Sequence, residues 1–164
     1  MIHFILGAGV FLADLAAKAY VEEQPEDRLP RKILRGGATL CRSHNKGMML
    51  NFLEDKPETA ARASTAAGVL ALLHFLPLLF RRTRKQSLEK LGGALILGGA
   101  ASNISDHWRR GYVVDYLKFP WKPIENVAFN LGDLAIFTGC LLTILGHTED
   151  KPLKRTELTE QGAE

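Results

Sequence analysis

The chain has 164 residues, a formal net charge of +3 at pH 7, 24% charged residues and two cysteines. This length allows one domain with a substantial core. The basic residues are dispersed among 18 acidic ones, which argues against a nucleic-acid partner. Cys41 and Cys140 are too few for a disulfide framework and are predicted to be free thiols. No His-x-x-x-His or Cys-x-x-Cys spacing occurs, so we expect neither a metal nor a cofactor.

Four apolar runs divide the chain, at residues 2–21, 63–80, 91–104 and 127–145. A helix of the length of the second run rises about 27 Å, close to the roughly 30 Å thickness of the hydrocarbon layer. We therefore predict four membrane-spanning helices, with a soluble bundle of buried helices as the alternative. The first run is expected to be retained, because no basic segment precedes it and no small-x-small cleavage site follows it. The basic residues lie on both sides of the predicted membrane, so their distribution does not fix an orientation.

Residues 23–59, between the first two runs, have the character of short strands around Ile33, around 39–41 and at 48–53. Turn residues at Gly36-Gly37 and at 45–47 separate them, which predicts a small sheet at the membrane surface. Residues 1–147 are then one membrane domain that includes this sheet. The tail, residues 148–164, is charged and lacks apolar periodicity, so it is predicted to be disordered.

Asp115 and Asp133 are the carboxylates that most need an explanation. Asp115 ends the string Gly111-Tyr-Val-Val-Asp115, and Asp133 opens the last apolar stretch. An ionised side chain at membrane depth is costly and is usually retained for function. Two neighbouring carboxyls hold one proton between them, which provides an acid and a base in one site. The pair is the best catalytic candidate in the sequence.

Further polar residues have helical spacing. Asn130 and Asp133 stand at i and i+3, and Asn103, Asp106 and His107 stand at i, i+3 and i+4. If both segments are helical, each set shares one helix face. The asparagines can donate and accept hydrogen bonds at once, so they are candidates to orient carboxyls or a substrate backbone.

Two other patterns favour structural roles. Asp14 and Lys18, at i and i+4, are interpreted as an ion pair that lowers the cost of both charges. Small residues between 92 and 102 are typical of close helix packing. A serine nucleophile at Ser102 or Ser105 is poorly supported, since no Gly-x-Ser-x-Gly sequence is present.

Five strings resemble, in order, the signature blocks of the lipoprotein signal peptidase family, also called signal peptidase II. They are Asp14-Leu-Ala-Ala-Lys18; Asn45-Lys-Gly47; Gly92-Gly93-Ala-Leu with Asn103-Ile-Ser-Asp106; Gly111-Tyr-Val-Val-Asp115-Tyr; and Phe129-Asn130-Leu-Gly-Asp133. The resemblance covers residues 10–145. Each string alone is weak, whereas five in the order of the family are specific.

The resemblance implies an all-α membrane protein with four transmembrane helices, cytoplasmic termini and a small extracytoplasmic β-sheet called a cradle. It implies an aspartyl endopeptidase of the bacterial inner membrane, with its site toward the extracytoplasmic face, that removes signal peptides from diacylglyceryl-modified prolipoproteins. The expected partners are this substrate and membrane lipids, and the expected state is a monomer. The catalytic pair of the family maps onto Asp115 and Asp133. Residues that support the site or bind ligand map onto Asp14, Lys18, Asn45, Gly47, Asn103, Asp106 and Asn130.

Three departures from the family pattern bear on specificity. First, the family has Gly-Asn and Asp-Arg where this chain has Ser102-Asn103 and Asp106-His107. Second, the family has Gly-Ala-Ala-Phe where this chain has residues 47–50. Third, the family has alanine where this chain has Gly132. The missing arginine matters most, because imidazole cannot reproduce the bidentate donors of a guanidinium. His107 could retune substrate positioning, or Arg109 or Arg110 could compensate.

Two alternative classes stay open on the sequence. A catalytically silent or altered-specificity paralogue would keep the fold and bind lipid-modified peptides, and His107 is the feature that favours it. A small transporter or proton relay would use Asp14 and Lys18. Retention of both aspartates and both asparagines favours the enzyme.

Overall fold

The computed structural model describes residues 2–48, 52–80 and 87–149. Within these ranges, four α-helices overlap the four apolar runs: α1 (Ile2–Glu22), α2 (Pro57–Phe80), α3 (Ser87–Arg110) and α4 (Leu131–Glu149). The fourth run was expected to be helical from residue 127, but its first residues include a strand, and the helix begins only at Leu131. Four strands complete the fold: β1 (Arg31–Ile33), β2 (Ala38–Asn45), β3 (Val113–Lys118) and β4 (Ala128–Phe129). The predicted disordered tail, 148–164, is wrong for residues 148 and 149, which belong to α4; from residue 150 it lies outside the described residues, and its disorder stays a prediction. Cys41 and Cys140 are free, as predicted.

The strands form one antiparallel sheet in the order β1-β2-β3-β4. The prediction of a sheet within 23–59 is right for β1 and β2 but incomplete, because β3 and β4 come from the connection between α3 and α4. The strand expected at 48–53 is wrong for its described residues: Met48 donates a backbone hydrogen bond to Phe52 at 2.6 Å, and Leu53 has a φ of 66°. Neither Met48 nor Leu53 is therefore part of a strand, and residues 49–51 of this prediction lie outside the described residues.

A β-bulge in β2 sets which side chains share a face with Asp115. Leu40 pairs with Leu117 and Ser43 pairs with Asp115, so β2 advances three residues while β3 advances two. Regular pairing from Leu40 would put Arg42 opposite Asp115 and turn Asn45 to the other face. With the extra residue, Asn45 is the diagonal neighbour of Asp115 on the same face, within reach of its carboxyl.

The helices meet through glycines, as the small residues between 92 and 102 predict. A Cβ atom at Gly92 would lie 2.5 Å from the Gly139 carbonyl oxygen, and one at Gly139 would lie 2.6 Å from the Gly92 carbonyl oxygen. A Cβ atom at Gly7 would lie 2.9 Å from the carbonyl oxygen of Ala94. At these crossings the backbones of α1 and α4 touch the backbone of α3, because glycine has no Cβ atom to keep them apart.

The outer surface of the helices is apolar. In the most apolar 18-residue windows of α1 and α2, only 17% and 11% of the residues are buried within the protein. Large apolar side chains such as Ile5, Leu70 and Phe80 are exposed. A soluble bundle would bury these side chains, so the surface indicates a lipid environment.

By length and composition, two of the described helices, α1 and α2, are suited to cross a membrane. The apolar part of α4, Leu131–His147, is shorter. The third helix, α3, buries charged and polar residues inside the protein, among them Lys90, Ser102 and Asp106. The four-span topology therefore stays a prediction.

Candidate active site

Asp115 and Asp133 line the same cavity, of about 300 Å³, between α2, α3, α4 and the sheet. Its other polar lining includes Asn45, Asn103 and His107, and Gly47 also borders it. The walls are otherwise apolar, with residues such as Ala67, Ala71, Ile96, Ile136 and Phe137. Four predicted site residues lie outside the lining: Asp14, Lys18, Asp106 and Asn130. The described residues contain no group of three or more His, Cys, Asp or Glu arranged to hold a metal.

Asp115 lies on β3 and is only 4% exposed. Its Oδ1 accepts a hydrogen bond from Asn130 Nδ2 at 2.7 Å, and its Oδ2 accepts one from Asn45 Nδ2 at 3.2 Å. Burial first, and then the negative charge of Asp133, raise the pKa of Asp115 to about 7, while the two amide donors act in the opposite direction. Near neutral pH this carboxyl can therefore hold or release a proton.

Asp133 lies in the first turn of α4, three residues after Asn130. Asn130 Oδ1 accepts the backbone N–H of Asp133 at 2.8 Å, and Asp133 Oδ2 accepts the backbone N–H of Asn130 at 3.1 Å. This reciprocal pair is a capping box, with Asn130 as the N-cap. The prediction that both residues lie within one helix is therefore wrong for Asn130, since α4 begins at Leu131. An N-cap has non-helical backbone, so its side chain is free to reach β3.

The amides of Asn130 and Asn45 have only one satisfactory orientation. The N–H of Asp133 can only donate, so it takes the carbonyl oxygen of Asn130 and leaves the NH2 group for Asp115. The N–H of Gly47 likewise donates to Asn45 Oδ1 at 2.9 Å, and Asn45 Nδ2 then faces Asp115. Gly47 thus acts through its backbone.

A buried polar cluster lies behind the cavity. Lys18 Nζ is 2.9 Å from Asp14 Oδ2 and 3.2 Å from Asp106 Oδ2, so the pair expected from spacing in α1 is present and extends to α3. Ser102 Oγ donates to Asp14 Oδ2 at 2.6 Å. Tyr116 OH donates to Asp14 Oδ1 at 2.8 Å. These contacts make Ser102 a structural residue, not a nucleophile.

Tyr116 was missed by sequence reasoning. The signal was present, because successive residues of a strand point to opposite faces. Once Asp115 is placed on a strand, its neighbour Tyr116 must face away from the cavity. The segment Tyr112-Val-Val is rich in the β-branched and aromatic residues that favour a strand.

His107 lies in the cavity wall at the position where the family resemblance leads us to expect an arginine. It is 6% exposed, and its buried Nδ1 has no hydrogen-bond partner among the described residues. Arg110 does not compensate, because its guanidinium pairs with Asp106 at 3.1 Å and approaches Glu22 at 3.7 Å. No arginine in the described ranges lines the cavity.

The fold is shared with bacterial membrane enzymes. A structure described as a bacterial membrane enzyme, determined by the in meso method at 2.3 Å resolution, aligns with a TM-score of 0.78 over 97% of this chain and 94% of that one, at 16% identity. A second such structure, at 1.9 Å resolution, aligns with a TM-score of 0.73 over 92% and 94% of the two chains, at 15% identity. The exposed apolar helices agree with this class, and the chain is a membrane protein.

Sequence comparison gives the family. Residues 6–148 match the model of the family Signal peptidase (SPase) II. The chain is 31% identical over 154 residues to the lipoprotein signal peptidase of Pasteurella multocida, which covers 93% of both chains. It is 30% identical over 143 residues to that of Xylella fastidiosa strain M12, covering 86% of this chain and 84% of the relative. The chain belongs to the signal peptidase II family and is a protease.

Proposed function

We propose that the chain is an aspartyl endopeptidase that removes signal peptides from diacylglyceryl-modified bacterial prolipoproteins. The observation that carries the proposal is that Asp115 and Asp133, from different elements, line one cavity and are each bound by asparagine amides. The relatives named lipoprotein signal peptidase supply the substrate class.

Hydrolysis of an amide without a metal needs a nucleophilic water and a protonated leaving amine. In the proposed reaction, the ionised carboxyl of the pair takes a proton from a water molecule, and the oxygen of that water attacks the scissile carbonyl carbon. The protonated carboxyl then gives its proton to the amine as the carbon–nitrogen bond breaks. Because the two carboxyls are coupled, the roles belong to the pair and not to either residue alone.

The location of the cavity suits a lipid-modified substrate. Apolar side chains of α2, α3 and α4 line it, while Asp115 lies on β3 of the sheet and Asp133 lies in the first turn of α4. Acyl chains could stay among apolar groups while the scissile bond reaches water. The proposal includes four spans, cytoplasmic termini, a monomer, and a site toward the extracytoplasmic face of the bacterial inner membrane.

A second candidate is a silent or altered-specificity paralogue that binds lipid-modified peptides. The observation that favours it is the unpartnered His107 Nδ1 in the cavity wall. The two candidates differ in turnover, because a silent paralogue would bind the prolipoprotein and leave it intact.

The test is a gel-shift cleavage assay with a diacylglyceryl-modified prolipoprotein. We expect Asp115→Asn and Asp133→Asn each to remove nearly all turnover, and the double variant to be little worse, since residues that act as a unit are non-additive. The exposed carboxyl of Asp27 provides the control, and Asp27→Asn should keep full activity. Cleavage by either dyad variant near the wild-type rate would refute the proposed mechanism.

A further inference from the structure

Lys18 is fully buried and is surrounded by hydrogen-bond acceptors from α1 and α3. Its ammonium nitrogen lies 2.8 Å from Asn103 Oδ1, 2.9 Å from Asp14 Oδ2, 3.1 Å from Ser102 Oγ and 3.2 Å from Asp106 Oδ2. The contact with Asn103 is the shortest of the four. It is also the contact that leads out of the buried cluster toward the cavity.

Asn103 connects Lys18 to Asp133. The Nδ2 group of Asn103 donates to Asp133 Oδ1 at 2.8 Å, while its Oδ1 accepts from Lys18. An ammonium has three donors and no acceptor, so it can only bind the carbonyl side of an amide. The NH2 side must then face Asp133. Asn130 and Asn45 are oriented by backbone N–H groups, whereas Asn103 depends on a side chain from another helix.

We propose that Lys18 is a positioning residue for the catalytic pair, because its ammonium holds the Asn103 amide with the NH2 group toward Asp133. The inference rests on the proposed function. Without this donor, the amide can turn by 180° and present its carbonyl oxygen to Asp133. A carbonyl oxygen repels an ionised carboxylate and accepts from a protonated one, so the pair would retain its proton to higher pH.

The charged groups that face Lys18 come from several elements. Asp14 lies on α1, and its carboxylate also accepts from Ser102 of α3 and from Tyr116 of β3. Asp106 lies on α3 and pairs with Arg110. Arg110 also approaches Glu22 of α1 at 3.7 Å, and beyond Asn103 the next charges are the proposed dyad. Removing Lys18 alone therefore changes both the amide orientation and the local charge.

The experiment separates these two effects. It compares the pH dependence of kcat for a diacylglyceryl-modified prolipoprotein between the wild-type full chain and Lys18→Met/Asp106→Asn, which removes one charge of each sign. We expect the acidic limb of the profile to move up by about one pH unit, a tenfold loss of rate on that limb. Asp27→Asn, which removes an exposed carboxyl outside the cluster, should keep the wild-type profile. An unmoved limb in the double variant would overturn the inference.

Asn103→Ala gives an independent test. It should move the acidic limb in the same direction as Lys18→Met/Asp106→Asn does, and the triple variant should move it no further than the double variant, because both changes break the same connection. Asp106→Asn alone should not move the limb upward. If the double variant does not fold, Asn103→Ala decides by itself: an unmoved limb contradicts the inference.

The two proposals fail differently. A wild-type chain that binds the prolipoprotein and never cleaves it would refute the proposed function, and the inference would fall with it. Normal cleavage by the wild type together with unmoved limbs in the variants would overturn the role of Lys18 alone.

Discussion

At the scale of single residues, three asparagines determine how the two aspartates are presented. Asn45, Asn103 and Asn130 each have one amide end bound by a group that can only donate, and each turns its NH2 group to a carboxyl. Donors at both carboxyls stabilise the ionised form, whereas burial opposes it. The proposed site thus balances two opposing effects, as a pair that must both hold and release a proton requires.

His107 offers a residue-scale prediction on specificity. Because its ring lines the cavity and has an unpartnered nitrogen, a guanidinium at this position can reach the same space with more donors. We expect His107→Arg to keep or raise prolipoprotein cleavage, by up to about tenfold. His107→Phe, which keeps a ring but no polar atom, should lower it by about tenfold.

His44 on β2 is the matched control, since it is exposed, lies outside the helices and does not line the cavity. His44→Arg should leave cleavage rates unchanged in the same assay, because a guanidinium can keep the contact of this side chain with Glu22. A sharp loss of cleavage in His107→Arg would mean that the neighbouring side chains are adapted to an imidazole. The family pattern would then no longer predict the function of this position.

Much of the site was predictable at this scale, and the reasons for the misses are physical. Spacing along a helix pairs Asp14 with Lys18, and the family pattern selects Asp115 and Asp133. Spacing cannot bring α3 to α1, so the role of Ser102 in the polar cluster was not apparent. The capping role of Asn130 was missed because an apolar run does not mark the residue at which the helix begins.

At the scale of elements, the sheet was harder to predict than the helices. A long, mostly apolar run predicts a helix from composition alone. By contrast, β3 is six residues long, and its partner β2 is far away in sequence. The bulge in β2 also breaks the alternation from which a strand is read. The face on which Asn45 lies therefore depends on one extra residue that no local pattern reveals.

The crossing of α3 and α4 yields an element-scale prediction. A methyl group at Gly92 would meet the backbone of Gly139 and the hydroxyl of Thr143, each at 2.5 Å, so the helices must separate. We expect Gly92→Ala to cost about 1–3 kcal/mol in the free energy of unfolding. Thermal unfolding in detergent measures this loss.

Gly9 on α1 is the control for that substitution, because a methyl group there meets nothing within 4 Å. Gly9→Ala should be neutral or stabilise the helix by up to about 1 kcal/mol. Equal melting temperatures for the Gly92 and Gly9 variants would argue against backbone contact between α3 and α4.

At the scale of the whole molecule, the topology is the open prediction. Single cysteines at Lys32 in β1 and at Ser87 at the start of α3, in a background without Cys41 and Cys140, report the two sides of the membrane. An impermeant thiol reagent applied to intact cells should label Lys32→Cys and leave Ser87→Cys unlabelled until the cells are opened. The reverse pattern would contradict cytoplasmic termini.

The second helix differs from the others in how it is attached. It packs principally against α3, whereas α3 also contacts α1, α4 and β3. The contact of α2 with α1 is small, with the rings of Phe4 and Phe80 5.2 Å apart, so most of the surface of α2 packs against no other helix. Away from its contacts with α3, such as that of Phe75 with Gly93, α2 can change its sequence as long as it stays apolar. We therefore expect substrate preference to change most easily at the α2 residues Ser64, Ala67 and Ala71, which line the cavity away from the helix crossings that hold the aspartates.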